Sequence, residues 1–395
     1  MKQYLSAKEA AAELGIQVPT LYAYVSRGLL RSEAADGKTR ARRYLRKDVT
    51  ALKQRKEMRR DPSKAVESAL HFGAPVLESG ITLIENGRFY YRGHDVIHLA
   101  QTRSFAEVVS LIWTGDFDAN VLQTDPFVLP PLPDLPAFEA FQAVLPLAAA
   151  PDFAAYDLSA TAVTQTGARI LQVITAVFAQ KTVTTSQPIP QQLQQALAAR
   201  DDAAADLFNA ALILCADHEL NISSFTARCV ASAGSTPYAV VNAGLSALQG
   251  YKHGGYTERV EALFQEAGLP ENVARTLASR LRRGVEIPGF GHTLYPEGDP
   301  RGAALLAMIE TVYPESKGLL LARALETAVF HSIGLKPTID FGLAALTYTL
   351  DLPSGSALAL FALGRMAGWI GHALEQYHVD QLIRPRARYI GTLPL

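Results

Sequence analysis

The sequence predicts a mostly α-helical protein that begins with a small winged helix-turn-helix unit. Long Ala- and Leu-rich segments carry apolar residues at helical spacing, and signals for strands are few. A third observation is the division of charge between the first 60 residues and the rest of the chain. The helices of the larger part are predicted at residues 196–215, 223–249, 271–284, 302–312, 318–333 and 356–377.

The charge division is large. Residues 1–60 hold fifteen Lys and Arg against six Asp and Glu, a net charge of +9, whereas the remaining residues carry a net charge of −10. The overall charge of −1 hides this difference. Such asymmetry within one chain indicates a polyanionic partner for the basic part.

Two short helices joined by a tight turn are predicted within the basic part. Ser6 is an N-cap with Glu9 three residues later, and Gly15 ends this first helix. The second helix has Pro19 in its first turn and Gly28 after its last turn. Two helices with this spacing predict a helix-turn-helix.

Residues 38–44 follow as a basic wing, and the whole segment resembles the MerR or excisionase type of winged helix-turn-helix. In that type the second helix enters the major groove and the wing contacts phosphates. The alternative is a docking or oligomerisation module, because runs of charge are often only solvated. A charged helix or linker is predicted at residues 53–60, and the domain boundary at Asp61. The residues predicted to face DNA are Tyr22, Arg27, Lys38, Arg40, Arg42 and Arg43.

Length and composition also restrict the class of protein. A chain of 395 residues that is 49% hydrophobic can bury more than one domain's core. No apolar run reaches the roughly 18 residues that span a bilayer, because Arg365 interrupts residues 357–370. The N-terminus lacks the apolar core of a signal peptide, and Cys215 and Cys229 are expected to pack as small hydrophobes. We therefore predict a cytoplasmic protein with no membrane partner.

No metal or cofactor site is predicted. The histidines lack the spacing of metal ligands except for His94 and His98, for which a surface or packing role is favoured. A glycine-rich phosphate loop of the Walker type is also missing from the sequence. Any nucleotide-containing ligand would be held by basic side chains and backbone.

Three residues in the last third of the chain are candidates for catalysis. His253 and His292 stand on glycine-flanked turns, where the lack of Cβ atoms lets the backbone bend sharply and bring an imidazole close to a ligand. Asp340 precedes a long apolar run, and burial there would raise its basicity. A single His beside glycines is usually only a turn residue, but this set can enolise a thioester and add it to a ketone.

Three arginines fit the same chemistry. Arg301, Arg365 and Arg384 could hold a di- or tricarboxylate, because guanidinium groups bind carboxylates by paired, planar hydrogen bonds. Arg365 interrupts an apolar helix, where a charge is costly unless a partner or ligand neutralises it. The alternative for Arg365 is a structural ion pair with an acid such as Glu375. For the arginines at 386 and 388 the structural role is favoured.

In chain order, seven motifs of the sequence resemble the citrate synthase family. The resemblance covers the chain from Phe72 to the C-terminus. Its motifs are Tyr-Arg-Gly-His-Asp-Val at residues 91–96, Ala-Asp-His-Glu-Leu-Asn at 216–221, Ser-Phe-Thr-Ala-Arg at 224–228, His-Gly-Gly at 253–255, Gly-Phe-Gly-His at 289–292, Asp-Pro-Arg at 299–301 and Arg-Pro-Arg at 384–386.

The resemblance implies a role for each site residue. Asp340 would remove a methyl proton from acetyl-CoA, His253 would hydrogen-bond the thioester oxygen, and His292 would polarise and protonate the oxaloacetate ketone. Hydrolysis would then release citrate and CoA. The carboxylates would be held by His218, Arg301, Arg365 and Arg384. In this family Arg384 reaches the partner subunit's site, which implies a homodimer.

The resemblance also implies a fold: a large helical domain at residues 61–220 and 335–395, and a small helical domain at about 221–334 that closes over the cleft. The sequence departs from the family at Tyr256-Thr257, where Ala-Asn is usual, and at Thr293, where Arg is frequent. Because these neighbours shape the acyl-CoA side, propionyl-CoA and 2-methylcitrate remain an alternative to acetyl-CoA and citrate. A second alternative is a metabolite sensor whose output is DNA binding.

Overall fold

The computed structural model describes residues 4–27, 30–34, 42–46, 48–49, 52, 77–185 and 187–392. It divides into two compact units, Met1–Glu78 and Ser79–Leu395. The predicted boundary at Asp61 and the linker predicted at residues 53–60 lie outside the described residues.

Within its described residues, the first unit includes two short helices and an antiparallel sheet. Its elements are β1 (Tyr4–Ser6), α1 (Ala7–Glu13), α2 (Val18–Ser26), β2 (Glu33–Ala34) and β3 (Arg42–Leu45). Strand β3 lies between β1 and β2 in the sheet.

Local interactions explain why these helices begin where they do. The Ser6 hydroxyl accepts a hydrogen bond from the Glu9 N–H at 3.3 Å, and the Glu9 carboxylate accepts one from the Ser6 N–H at 2.8 Å. This reciprocal pair satisfies two N–H groups that the first turn of α1 leaves free. Pro19 lies in the first turn of α2. The two predicted helices are confirmed, although α2 has no side-chain cap, and β3 covers residues 42–44 of the predicted wing, whose earlier residues lie outside the described part of the chain.

The second unit is mostly helical, as predicted. The short strands in its described residues are β4 (Thr82–Glu85), β5 (Arg88–Tyr91) and β6 (His94–Asp95). Its helices are α3 (Val96–Thr102), α4 (Phe105–Thr114), α5 (Ala137–Ala149), α6 (Ala160–Phe178), α7 (Ile189–Leu197), α8 (Ala204–Cys215), α9 (Ile222–Ser232), α10 (Pro237–Leu248), α11 (Tyr256–Ala267), α12 (Val273–Arg282), α13 (Pro300–Val312), α14 (Lys317–Ile333), α15 (Ile339–Thr349) and α16 (Ser356–Val379).

Two of these strands form an antiparallel hairpin. Strands β4 and β5 are joined by Asn86 and Gly87, both of which have positive φ, at 53° and 75°. Two consecutive residues with positive φ give the turn whose twist matches that of paired strands.

Two of the predicted helices are each divided in the structure. The segment predicted at 196–215 contains the end of α7 and all of α8. The segment predicted at 223–249 contains α9 and α10, which are separated by Gly234 with a φ of 73° and by Pro237. Because Pro lacks an N–H and Gly adopts positive φ at little cost, the backbone starts a new helix here.

Helix α16 forms the centre of the second unit and packs against α6, α8, α9 and α10. By length and hydropathy it could cross a membrane, which the sequence analysis did not expect. However, 94% of its most apolar window is buried within the unit. It is therefore the core helix of this unit.

Two segments from distant parts of the chain meet beside α15. The N–H of Gly291 donates to the carbonyl of Lys336 at 2.9 Å, and the N–H of Thr338 donates to the carbonyl of Gly289 at 2.9 Å. Gly289 and Gly291 have φ values of 89° and 79°, which only glycine adopts readily. This pairing brings His292 close to the start of the helix that carries Asp340.

Candidate functional sites

His253 lies on the turn between α10 and α11. A Cβ atom at Gly255 would lie 2.2 Å from the carbonyl oxygen of Gln249, and one at Gly254 would lie 2.5 Å from the Leu248 side chain. Both glycines are therefore required by the close packing of this turn. Burial lowers the pKa of His253 to about 3, so the imidazole is neutral at physiological pH.

A buried serine contacts the His253 ring. The Nε2 atom of His253 is 2.8 Å from the Ser223 hydroxyl oxygen, which also accepts a hydrogen bond from the Trp369 indole at 3.2 Å. The single proton of this hydroxyl can be accepted by His253 or by Asn221 Oδ1, also at 2.8 Å. When His253 Nε2 accepts it, the ring proton is on Nδ1, which is then free to donate.

The tautomer of His292 follows from one backbone contact. Its Nδ1 atom accepts a hydrogen bond from the Leu294 N–H at 3.1 Å. Burial and the positive charge of Arg301 lower the pKa of His292, so the ring is neutral and carries its proton on Nε2. A neutral imidazole of this kind donates a hydrogen bond from Nε2.

Asp340 lies in the first turn of α15 and accepts two threonine hydroxyls. The Thr257 hydroxyl is 2.9 Å from Oδ1, and the Thr338 hydroxyl is 3.2 Å from Oδ2. Burial raises the pKa of Asp340, while the Thr257 hydrogen bond and Arg301 lower it and leave a net rise. The result is a carboxylate that is more basic than an exposed aspartate.

Arg301 and Asp340 are connected through Asp299. The Asp299 carboxylate accepts from Arg301 Nε at 3.0 Å and Nη2 at 2.8 Å. The same carboxylate accepts from the Ile339 N–H at 3.1 Å, at the start of α15. Although burial opposes it, this ion pair raises the pKa of Arg301. The guanidinium group is thus held rigidly, with Nη1 left outside the pair.

His218 is buried among these groups. Its Nε2 atom is 2.8 Å from the Tyr295 hydroxyl, and its ring centre is 5.5 Å from that of His292. Burial and the positive charges of Arg301 and Arg365 hold the pKa of His218 well below its usual value. It is therefore a neutral group for hydrogen bonding.

Arg365 is buried in α16 with 1% of its surface exposed. Its Nε atom donates to the Cys215 carbonyl at 2.7 Å, and its guanidinium lies 4.9 Å from the centre of the Phe361 ring. Glu375, the acid suggested as an ion-pair partner, instead pairs with Arg228 at 3.2 Å, and the carboxylate whose charge acts most on Arg365 is that of Asp217. Burial lowers the pKa of Arg365.

Six of the seven predicted residues thus form one cluster. His253 and Arg365 both lie against the Phe361 ring, and His218 links this side to His292. The residues of the cluster are His218, His253, His292, Arg301, Asp340 and Arg365. The cluster combines neutral imidazoles, one basic carboxylate and two guanidinium groups.

Arg384 is not part of this cluster in the single chain. It is exposed in the segment that follows α16. A cavity of about 750 Å³ lies elsewhere, between α3, α4, α8 and the end of α13, and none of the predicted site residues lines it.

Sequence reasoning missed the neutral groups that orient the cluster. These are Ser223, Thr257, Tyr295, Thr338 and Trp369, together with Asp299. Asp299 carried a signal because it belongs to the Asp-Pro-Arg motif, and Thr257 carried one because it stands where the family usually has Asn. Hydroxyl groups have no charge or periodicity that would have identified the others.

The candidate DNA-facing residues divide into three groups. Tyr22 and Arg27 are exposed at α2, and Arg42 is exposed on β3, where Nη1 donates to the Ser32 hydroxyl at 2.7 Å. Tyr22 and Arg42 both act on the pKa of Tyr44, which burial raises, so they lie near the same buried ring.

Arg43 has contacts within its own unit. Its Nε atom is 3.5 Å from Glu33, and its guanidinium is 4.4 Å from the centre of the Tyr4 ring. A role for Arg43 in stabilising the sheet is therefore better supported than a contact between Arg43 and DNA. The remaining two predicted residues, Lys38 and Arg40, lie outside the described residues.

A helical body that gathers a basic carboxylate, neutral imidazoles and buried guanidinium groups defines a class of acid–base enzymes with anionic ligands. The family profile described as "Citrate synthase, C-terminal domain" matches residues 70–386, and one described as "Helix-turn-helix domain" matches residues 4–57. The chain belongs to the citrate synthase family and carries an N-terminal helix-turn-helix domain.

Curated relatives include both types of synthase. The chain is 40% identical to citrate synthase 2 of Bacillus subtilis over 189 residues, 47% of this chain and 51% of that protein. It is 32% identical to 2-methylcitrate synthase 1 of Corynebacterium glutamicum over 188 residues, 47% of this chain and 49% of that protein. The chain thus spans about half the length of these relatives.

Solved structures match over more of the chain. The citrate synthase of Thermotoga maritima aligns with a TM-score of 0.69 and 25% identity, covering 82% of this chain and 95% of that chain. The citrate synthase of Thermoplasma acidophilum, solved as a ternary complex with carboxymethyl coenzyme A and oxaloacetate, aligns with a TM-score of 0.68 and 24% identity, covering 83% of this chain and 97% of that chain. At this identity the second match supports the fold alone.

Proposed function

We propose that the protein condenses acetyl-CoA with oxaloacetate to form citrate and CoA. The observation that carries the proposal is the cluster itself, in which the Asp340 carboxylate has a raised pKa beside two neutral imidazoles. A weak carbon acid such as a thioester methyl group needs a base and a hydrogen-bond donor that act together.

In the proposed reaction, Asp340 removes a methyl proton while His253 donates from Nδ1 to the thioester oxygen. His292 donates from Nε2 to the ketone oxygen and transfers that proton as the carbon–carbon bond forms. Hydrolysis of the thioester then releases CoA. The substrate carboxylates are bound by His218, Arg301 and Arg365.

A homodimer is part of the proposal. Arg384 is exposed beyond α16 and lies in the Arg-Pro-Arg motif, one of those that resemble the family. In the proposed dimer it completes the carboxylate site of the second subunit. The protein is proposed to act in the cytoplasm.

Mixing the purified protein with oxaloacetate and acetyl-CoA is expected to release CoA, detected with a thiol reagent. Propionyl-CoA is the comparison, because Tyr256 stands near the base where the family usually has Ala. A larger kcat/KM with propionyl-CoA than with acetyl-CoA would mean that the product to be proposed is 2-methylcitrate instead of citrate. Failure to release CoA from any short acyl-CoA would refute the proposed activity.

The helix-turn-helix domain supports a second function, namely DNA binding by the same chain. Tyr22, Arg27 and Arg42 are exposed at α2 and β3, and the first 60 residues carry a net charge of +9. A dimer presents two such units, and their phosphate contacts add in affinity. In the alternative function, the condensing body is a metabolite sensor and DNA binding is the output.

The protein is expected to retard a fragment that contains the promoter of its own operon, and deletion of residues 1–60 should abolish the shift. Arg27→Ala or Arg42→Ala should weaken binding and lower the slope of log K against log salt by about 1 for each phosphate that is no longer neutralised. Lys8→Ala, which removes an exposed charge from α1, is the control and should leave the slope unchanged. Retardation that persists after the deletion would contradict this function.

A further inference from the structure

Both oxygens of the Asp340 carboxylate are approached by a buried hydroxyl. Thr257 donates to Oδ1 at 2.9 Å, and Thr338 lies 3.2 Å from Oδ2. Thr257 is fully buried and Thr338 is 3% exposed, so water does not compete for either hydroxyl. Hydrogen bonds to a charged acceptor in such surroundings are strong and directional.

The two hydroxyls are not equivalent. Thr338 Oγ1 is also 3.3 Å from the carbonyl oxygen of Gly289, and its single proton is shared between two acceptors. Among the described residues, the hydrogen bond that Thr257 Oγ1 makes is the one to Asp340. Thr257 therefore contributes more to the orientation of the carboxylate.

The position of Thr257 connects two parts of the site. It lies in the first turn of α11, directly after the His253 turn, and its N–H donates to the Gly254 carbonyl at 2.9 Å. Asp340 is 83 residues further along the chain. The hydroxyl thus joins the turn that carries His253 to the helix that carries the carboxylate.

We infer that Thr257 is a positioning residue that holds the Asp340 carboxylate at a fixed orientation and distance relative to His253. This inference rests on the proposed function, because it assigns the carboxylate the removal of the acyl proton. A base must be aligned with the C–H bond that it breaks, and small misplacements reduce the rate strongly.

The charged and titratable groups around Asp340 determine whether loss of the Thr257 hydroxyl raises or lowers the pKa of the carboxylate. Burial raises the pKa of Asp340, and the Thr257 hydrogen bond lowers it, as does Arg301, while Asp299 raises it. Tyr256 and Cys215 also interact with this carboxylate. Without the Thr257 hydroxyl, the rise in pKa that burial causes is less opposed. The pKa of Asp340 then rises further, so less of the base is ionised at neutral pH.

The test compares full-length variants over a range of pH. Thr257→Val is expected to lower kcat about tenfold at pH 7 and to move the acidic limb of the profile upward by about one pH unit. The KM for oxaloacetate should stay the same. Thr257→Ser restores the hydroxyl and should return the limb toward that of the wild type. Thr347→Val is the matched control, since Thr347 is buried in α15 but donates to the Ala344 carbonyl.

A Thr257→Val profile that superimposes on the wild-type profile would overturn the inference. If the valine variant does not fold, Thr257→Ala provides a second side chain without a hydroxyl. Titration of Asp340 by carbon-13 NMR, assigned with Asp340→Asn, needs no turnover and must show a raised pKa in the hydroxyl-free variant. A wild-type protein without turnover would defeat the proposed function, whereas an unmoved NMR titration would defeat this inference.

Discussion

Asp340→Asn is expected to reduce kcat by about three orders of magnitude while the affinity for oxaloacetate stays within about threefold. The amide keeps the shape of the side chain and can still accept from Thr257, but it cannot take a proton. In the proposed function, oxaloacetate binding depends on the guanidinium groups and His218, which the substitution leaves in place. Steady-state kinetics and calorimetric titration with oxaloacetate measure the two quantities separately.

The same variant should be more stable than the wild type at pH values above the folded-state pKa of Asp340. Because burial raises the pKa of Asp340, ionisation is less favourable in the folded protein than in the unfolded chain. The associated stability is present at low pH and is lost as the pH rises through the folded-state pKa. The gain in Tm of Asp340→Asn should therefore be largest at high pH and shrink as the pH falls.

Asp351→Asn is the matched control for both measurements. Asp351 follows α15 and is exposed, with a φ of 51° that asparagine adopts readily. It should show wild-type turnover, and its Tm difference from the wild type at each pH is the reference for an exposed aspartate. Full activity in Asp340→Asn would remove the carboxylate from the mechanism.

The parts of the site that the sequence predicted are those with a local signature. The glycines beside His253 and His292 indicated sharp turns, and the structure gives the reason in the short distances that a Cβ atom would make. Asp340 was expected at the edge of a buried helix because an apolar run follows it, and α15 begins one residue before it.

The parts that the sequence did not predict depend on long-range contacts. Thr257 contacts Asp340, which is 83 residues away in the sequence, and Asp299 contacts the N–H of Ile339, which is 40 residues away. The sequence marked Thr257 only as a departure from the family's usual Asn. A neutral hydroxyl produces no charge or periodicity, so nothing in the sequence connected it with Asp340. The division of residues 223–249 into two helices has a different explanation. Gly234 and Pro237 are helix-ending signals in the sequence, but the prediction of one helix gave more weight to the apolar periodicity.

Arg365→Met is expected to raise the KM for oxaloacetate about 100-fold or more and to raise the Tm of the ligand-free protein. Arg365 is 1% exposed, and no carboxylate lies within ion-pair distance of it in the part of the chain that the structure describes. Removing an ion from water costs several kcal/mol, which the hydrogen bond to the Cys215 carbonyl and the negative charge of Asp217 offset only partly. A flexible methionine fills a similar volume without that cost.

Thermal unfolding with and without oxaloacetate separates the two effects. A ligand that binds only the folded state raises Tm according to its concentration and affinity, so the wild type should gain stability from oxaloacetate. The methionine variant should start at a higher Tm and gain little. A higher KM combined with a lower ligand-free Tm would instead indicate that Arg365 stabilises the fold.

Arg228→Met provides the contrast, because Arg228 is equally buried but has a carboxylate partner. It lies 3.2 Å from Glu375, whose side chain is only 18% exposed. Removing one member of a buried pair leaves the other charge uncompensated and costs about 3–5 kcal/mol, so this variant should lose Tm and keep its affinity for oxaloacetate. Opposite changes in the Tm of these two variants would mean that the charge of Arg365 is retained for a ligand, since it makes the empty protein less stable. Equal losses of Tm would assign both arginines to the stability of the fold.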